Sequence, residues 1–176
     1  MNVICIAGYS NAGKTHLIER LIPVLKARGL RVSVIKHAHH RFDIDHPGKD
    51  SFRHRAAGAF EVLIASRYRQ ALMREFERET PPDVHRLLAE LDGGVDWVLV
   101  EGFKESDLPR LEVWRAAAAK PARYPEDRLV AAIATDSPAQ LPQASALPVL
   151  DLNDAPALAD WLLAHARQFG YNRRHD

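Results

Sequence analysis

The chain has one cysteine, Cys5, so an internal disulfide framework is excluded. Cys5 lies in an apolar run and reads as a buried small group rather than a reactive thiol. There is almost no excess of charge: Lys plus Arg is 24, Asp plus Glu is 23, and the net charge is +1. A dedicated nucleic-acid or membrane-surface protein would show a basic surplus, so neither partner is expected. No apolar run reaches the length of a membrane span, and no internal repeat or low-complexity tract is visible. An apolar strand begins at residue 2 and a glycine loop at residue 8, with no leader-like segment before them. The expectation is a cytoplasmic protein.

What is present is an ordinary globular composition, 47% hydrophobic and 27% charged in 176 residues, which predicts one folded domain over 1–170 and a frayed tail over 171–176. Its most specific short motif is Gly8-Tyr-Ser-Asn-Ala-Gly13-Lys14-Thr15, a match to the phosphate-loop pattern at every fixed position. The context also fits. Asn2 to Ala7 is a β-rich apolar run, and Leu17, Ile18, Leu21, Ile22 and Leu25 recur at helical spacing up to Gly29. Pro23 falls inside that helix and predicts a kink or a lost hydrogen bond. Strand, glycine loop and helix together aim backbone N–H groups and a helix N-terminus at one phosphate. Gly8, Ser10, Asn11, Ala12, Gly13, Lys14, Thr15 and His16 are therefore the candidate nucleotide-binding residues. Lys14 supplies the charge for the β- and γ-oxygens, and the Thr15 hydroxyl suits Mg²⁺. His16 stands where many such loops carry a second hydroxyl residue.

Further strands are expected over 31–36, 60–65, 95–101, 111–114, 129–134 and 147–150, with Gln70 to Phe76 pairing with 60–65 as an antiparallel ribbon. Helices are expected after Asp50 or Ser51, after Pro81-Pro82, and from a cap at Asp154. Alternating strands and helices predict an α/β fold, a P-loop NTPase-like doubly wound and mostly parallel sheet with flanking helices. Residues 103–128 are the least readable stretch.

Ligands of open α/β sheets bind beyond the carboxyl ends of the strands. Of the two acids in 95–101, Asp96 lies at the strand's start, about 16 Å from its far end at ~3.3 Å per residue. Glu101 is thus the candidate acid for Mg²⁺ and, with Lys14, for catalysis, while Asp96 is expected to be structural. Asp45, in the loop after Lys36, is a further candidate for Mg²⁺ or its waters. His37, His39, His40 and His46 raise a transition-metal reading, but their spacing fits no common zinc pattern. Lys36, His39, His40, Arg53 and Arg55 are instead candidates for an anionic ligand. No Asn-Lys-x-Asp motif is present, so base choice is not directly legible; Asp136, ending the 129–134 strand, can accept from both N–H groups of a guanine edge.

The phosphate loop, together with Lys36-His-Ala-His-His40, Phe42-Asp-Ile-Asp45, Pro47-Gly-Lys-Asp-Ser51, Arg53-His-Arg55, Ala57-Gly-Ala59 and Val100-Glu-Gly-Phe-Lys104, resembles the molybdopterin-guanine dinucleotide biosynthesis adapter proteins. The resemblance covers the first two-thirds of the chain in the family's order. It implies a GTP-binding homodimer with Mg²⁺ and slow intrinsic GTPase activity. It further implies association with the molybdenum cofactor guanylyltransferase and with molybdoenzymes that receive the cofactor, with molybdopterin as a ligand, and it makes the 36–59 block a site for nucleotide, Mg²⁺ or the anionic pterin phosphate. Two other readings stay open: a His-rich, nickel-type metallochaperone GTPase and a P-loop small-molecule kinase.

Overall fold

A computed structural model of the chain describes residues 1–38 and 41–172. The chain divides into two compact units, residues 1–37 with 83–176, and residues 38–82.

The first unit is built on a six-stranded sheet. Its strands are β1 (Asn2–Ala7), β2 (Val32–Lys36), β5 (Trp97–Glu101), β6 (Arg110–Val113), β7 (Val130–Thr135) and β8 (Val149–Asp151). They lie in the order β2-β5-β1-β6-β7-β8, and every pairing is parallel. β1 and β5 are apolar along their length because both of their faces are covered, as parallel strands require. Helix α1 (Lys14–Ala27) buries Leu17, Ile18, Leu21 and Leu25. At roughly 1.5–3 kcal/mol per buried side chain, that stripe outweighs the hydrogen bond that Pro23 cannot donate, and the helix runs through the proline. Helix α4 (Ala155–Ala164) packs in the same core cluster through Leu158, Ala159 and Leu162. Its start is capped by the Asp154 carboxylate, which accepts from Ala157 N–H at 2.9 Å. Helix α3 (Val84–Glu90) covers the opposite face with Val84 and Leu88. Asp83 caps it, so the two prolines before it precede the helix rather than open it.

Several expected boundaries move by one or two residues, and Gly170 and Tyr171 are tied to the start of the chain. Gly170 bridges to Asn2, Tyr171 donates its N–H to the Met1 carbonyl at 2.9 Å, and the Tyr171 ring stacks on His85 with centroids 5.7 Å apart. Residues 173–176 lie outside the described residues.

The second unit holds helix α2 (Asp50–Ala56) and the antiparallel hairpin of β3 (Glu61–Ala65) and β4 (Gln70–Arg74). The ribbon is paired as the sequence suggests, Leu63 facing Leu72. The helix start differs: Lys49 is the N-cap residue without a side-chain bond, and Ser51 donates its hydroxyl to Asp45 at 2.9 Å instead. Arg55 ties this unit together. Its guanidinium reaches Asp43 at 2.8 Å, Asp45 at 3.3 Å and Glu75 at 2.8 Å, joining loop, helix and hairpin.

Candidate functional site

The site is built where β1 meets α1. The loop backbone takes positive φ at Gly8 (142°), Asn11 (64°) and Gly13 (100°). Gly8 has a steric reason, since a Cβ there would collide with the Val113 carbonyl on the neighbouring strand. The turn at Asn11 and Gly13 produces a concave run of backbone N–H groups, an anion nest. Helix α1 begins at Lys14 with no side-chain cap on its N-terminus, so its first N–H groups have no intrahelical partner and face the loop. The Ala12 N–H donates to Tyr9 O at 3.2 Å, which shifts the available donors toward Gly13 and the first helical turn.

Lys14 arches back over this loop. Its ammonium donates to the Gly8 and Tyr9 carbonyls at 2.9 and 2.8 Å, leaving one of three N–H donors for an anion. Burial pushes its pKa down, opposed by the nearby Glu101 carboxylate, with Lys36 adding to the depression. A desolvated cation whose charge is under-compensated is well matched to a polyanion.

At the carboxyl end of β5, Glu101 Oε1 accepts the Thr15 hydroxyl at 2.6 Å and Oε2 lies 3.5 Å from Lys36 Nζ. Lys36 and Glu101 are directly opposed in the ladder between β2 and β5, which explains why two sequence-distant motifs meet. Gly102, with φ 94°, is required for a reason the sequence does not reveal: a Cβ there would sit 2.7 Å from the His37 Cβ. The His37 ring stacks on Phe103 at 4.7 Å. Asp96 lies at the other end of β5, where its carboxylate accepts the Arg31 N–H at 2.7 Å.

On the opposite flank of β1, Asp136 follows β7. Its Oδ1 accepts from Ser137 Oγ at 2.8 Å and its Oδ2 from Arg115 Nε at 2.6 Å. These bonds, the Ser137 hydroxyl foremost, hold its pKa below the usual carboxylate range. Arg115, two residues past the end of β6, is a site residue that the sequence reading did not single out. Its Cδ would lie 4.0 Å from a Cβ at Gly13, with Leu152 Cδ2 at 3.9 Å, so its stem crosses the last glycine of the phosphate loop.

The structure therefore brings together Gly8, Ser10, Asn11, Ala12, Gly13, Lys14, Thr15, Glu101 and Lys36. His16 is exposed on the first turn, 3.9 Å from Glu19. Asp45, Arg53 and Arg55 belong to the second unit. There Asp45 is engaged by Arg55 and Ser51, and Arg53 is exposed beside Asp50 at 3.6 Å. The Arg55 donors serve three carboxylates, so this side chain is a structural hub rather than a free anion contact. His39 and His40 lie outside the described residues. Among the described residues no three His, Cys, Asp or Glu side chains are grouped to hold a metal ion.

Mg²⁺ fits the donor set at the strand end. A hydroxyl and a carboxylate are hard oxygen ligands, and Thr15 and Glu101 would hold the ion beside the phosphates. The chemistry it would supply there is to neutralise the charge of a bound phosphate.

An anion nest between the first strand and the first helix, with an acid one strand away on a parallel sheet, defines a P-loop NTPase-like α/β protein. The sequence profile of the family described as molybdopterin guanine dinucleotide synthesis protein B matches residues 3–136. This chain belongs to that family. It is 41% identical to the molybdopterin-guanine dinucleotide biosynthesis adapter protein of Escherichia coli K12 over 92% of this chain and 91% of that one. To the adapter protein of Haemophilus influenzae it is 42% identical, over 89% and 85%. Among solved structures, a MobB homologue from Bacillus stearothermophilus superposes with a TM-score of 0.67 at 25% identity, covering 95% of this chain and 99% of that one. Bacillus subtilis MobB shares the fold with a TM-score of 0.71, over 98% and 100% of the two chains.

Proposed function

We propose that this chain is a GTP-binding adapter in the assembly of molybdopterin guanine dinucleotide, working with Mg²⁺ and hydrolysing GTP slowly at most. One observation carries the reading. The Thr15 hydroxyl rests 2.6 Å from Glu101, beside a desolvated Lys14 and an uncapped helix N-terminus, which is the donor set a magnesium nucleotide requires. The relatives are named adapter proteins of this pathway. An adapter in that pathway suggests partners within it, and those proposed are the guanylyltransferase that joins molybdopterin to GMP and the molybdoenzymes that receive the product. The reading carries with it a cytoplasmic location, where GTP is made and a lone thiol such as Cys5 stays reduced.

Slow hydrolysis is the expectation for a phosphate loop without an arginine finger, and of the two arginines that the sequence offers for that role Arg55 is tied to three carboxylates. P-loop GTPases without such help turn over near 10⁻³–10⁻⁴ s⁻¹. Homodimer formation is supported by the second unit. Leu63, Ile64 and Leu72 are 61, 44 and 46% exposed on the hairpin, and an isolated two-stranded ribbon is marginal in water.

Calorimetry with GTP and ATP, turnover measurements, and affinity capture from cell extract with GTP present test the whole. Micromolar GTP binding, turnover below about 1 s⁻¹ and recovery of a guanylyltransferase are expected. Faster hydrolysis, or phosphate transfer to a small acceptor outpacing hydrolysis, would replace the adapter with an enzyme.

A further inference from the structure

We infer that Lys36 reads the terminal phosphate of the nucleotide, so that the site holds a triphosphate in preference to the diphosphate. This rests on the nucleotide-binding reading above and adds to it the end of the ligand that Lys14, serving β- and γ-oxygens alike, does not distinguish.

The ladder places the side chain. Lys36 is the last residue of β2 and pairs directly with Glu101, the last residue of β5. The His37 N–H donates to the Glu101 carbonyl at 2.9 Å. Gly102 packs so closely that a Cβ there would sit 2.7 Å from the His37 Cβ. The two strand ends are thus clamped side by side, and the Lys36 backbone is held beside the acid. β2 is two strands from β1, about 10 Å at ~4.8 Å per strand. The phosphate loop therefore lies on one side of Glu101 and Lys36 on the other.

Charge and donor count select the terminal group. In P-loop proteins the cation bridges β- and γ-oxygens. Here the cation falls to Thr15 and Glu101, whose Oε1 accepts the Thr15 hydroxyl at 2.6 Å while Oε2 faces Lys36 Nζ at 3.5 Å. A γ-phosphate on that cation shares the corner with Lys36. The ammonium lies beyond the usual N–H···O range of about 2.7–3.2 Å, and the Lys36 side chain is 59% exposed. Its three donors are therefore not committed to Glu101. Lys14 differs, because two of its donors go to the Gly8 and Tyr9 carbonyls. Lys36 is close enough to add to the depression of the Lys14 pKa, so two cations compete for one carboxylate, and an incoming γ-phosphate relieves that surplus. A diphosphate brings no group to this corner. An ammonium is a compact point charge rather than a planar fork; it holds the ground state without orienting a water, in keeping with slow turnover.

The test is calorimetric titration of the full chain at fixed Mg²⁺ with the non-hydrolysable β,γ-imido analogue of GTP and with GDP, for wild type, Lys36→Met, Lys36→Arg and Lys14→Ala. Lys36→Met should raise the dissociation constant of the analogue by about 10- to 150-fold, the worth of one charged hydrogen bond. Its GDP affinity should barely move, which also shows that the variant is folded. Lys36→Arg keeps the charge and should recover part of the loss. Lys14→Ala should weaken both ligands, since its ammonium serves β- as well as γ-oxygens. The sign of the change separates direct contact from an effect through Glu101. If Lys36 only held that carboxylate, its removal would release Glu101 to the cation, and both ligands would bind as well or better. Equal changes for the two ligands in Lys36→Met, or none, overturn the assignment; if Lys14→Ala still weakens both, the phosphate site survives alone. Absence of nucleotide binding in wild type sinks the nucleotide reading and this inference with it.

Discussion

Asp96, just before β5, and Glu101, its last residue, allow position and charge to be separated. Glu101→Gln and Asp96→Asn remove the same charge, one at each end of the strand. At Glu101 the substitution turns the carboxylate that meets Thr15 at 2.6 Å and Lys36 at 3.5 Å into a neutral amide, which is a poor ligand for a hard dication. A hydrogen bond to a charged group is worth about 1.5–3 kcal/mol, which converts to about 10- to 150-fold. The gain in GTP affinity on adding Mg²⁺ should shrink by that order in Glu101→Gln. Asp96 accepts one backbone N–H from Arg31 at 2.7 Å, and the amide oxygen of Asn can still accept it. That variant should lose at most ~1 kcal/mol of stability and keep the full Mg²⁺ gain. Calorimetry with GTP in Mg²⁺ and in chelator, on three proteins, gives the coupling directly. Loss of the Mg²⁺ effect in Asp96→Asn with its retention in Glu101→Gln would refute the assignment of the cation to the carboxyl end of β5.

Other perturbations follow from the same geometry. Lys14→Ala leaves the backbone nest intact and should weaken GTP by about 10- to 150-fold in calorimetry, the worth of one charged hydrogen bond; unchanged affinity would place the nucleotide elsewhere. In the proposed homodimer, Leu63→Glu should shift the equilibrium toward monomer in sedimentation, the dissociation constant rising at least about tenfold given roughly 1.5–3 kcal/mol per buried leucine; a wild type that sediments as a monomer would refute the dimer. Asp43 is depressed to about 2 from an ordinary 3.8, chiefly by its hydrogen bond to Arg55. Its contribution to the second unit is therefore complete above about pH 4 and fades as pH falls toward about 2, which carboxylate NMR titration and amide exchange of α2 should register together. A midpoint near the ordinary value would mean that the pair with Arg55 does not persist in solution.

Much of the first unit was legible because it obeys local rules. The glycine loop, the period of α1 and the apolar runs of β1 and β5 each carry their own signal, and the rule that ligands lie beyond strand ends selected Glu101 over Asp96. The β3–β4 ribbon could be read for the same reason. Residues 103–128 could not, and the structure gives the cause. β6 alternates Arg110 and Glu112, 3 and 1% exposed, with Leu111 and Val113. Arg110 reaches Asp127 at 2.9 Å and the Lys104 carbonyl at 2.8 Å, and Glu112 accepts the N–H groups of Arg123 and Tyr124 at 2.7 Å each. The strand itself is expected over 111–114, but the loops on either side of it are organised by buried charge meeting backbone, which gives those loops no hydrophobic period to detect.

Arg115 escaped notice while Glu101 did not for a different reason. Glu101 ends β5 and Arg115 lies two residues past β6, each on a strand next to β1. The strand expected over 111–114 locates the end of β6 to within a residue, but the positional rule was applied there to acids able to hold a cation, and an arginine is not one. Burial raises the pKa of Glu112 above the carboxylate norm, opposed by the two backbone N–H groups, so it is costly to keep charged there. A strand that carries such a cost in its middle is held in place by the loops it anchors. Glu112→Gln keeps one acceptor oxygen and replaces the other by a donor, so one of the Arg123 and Tyr124 N–H groups loses its partner. Amide exchange over residues 123–127 should rise in that variant while exchange over β1 stays as it is; unchanged exchange at Arg123 and Tyr124 would refute the role given to the buried carboxylate.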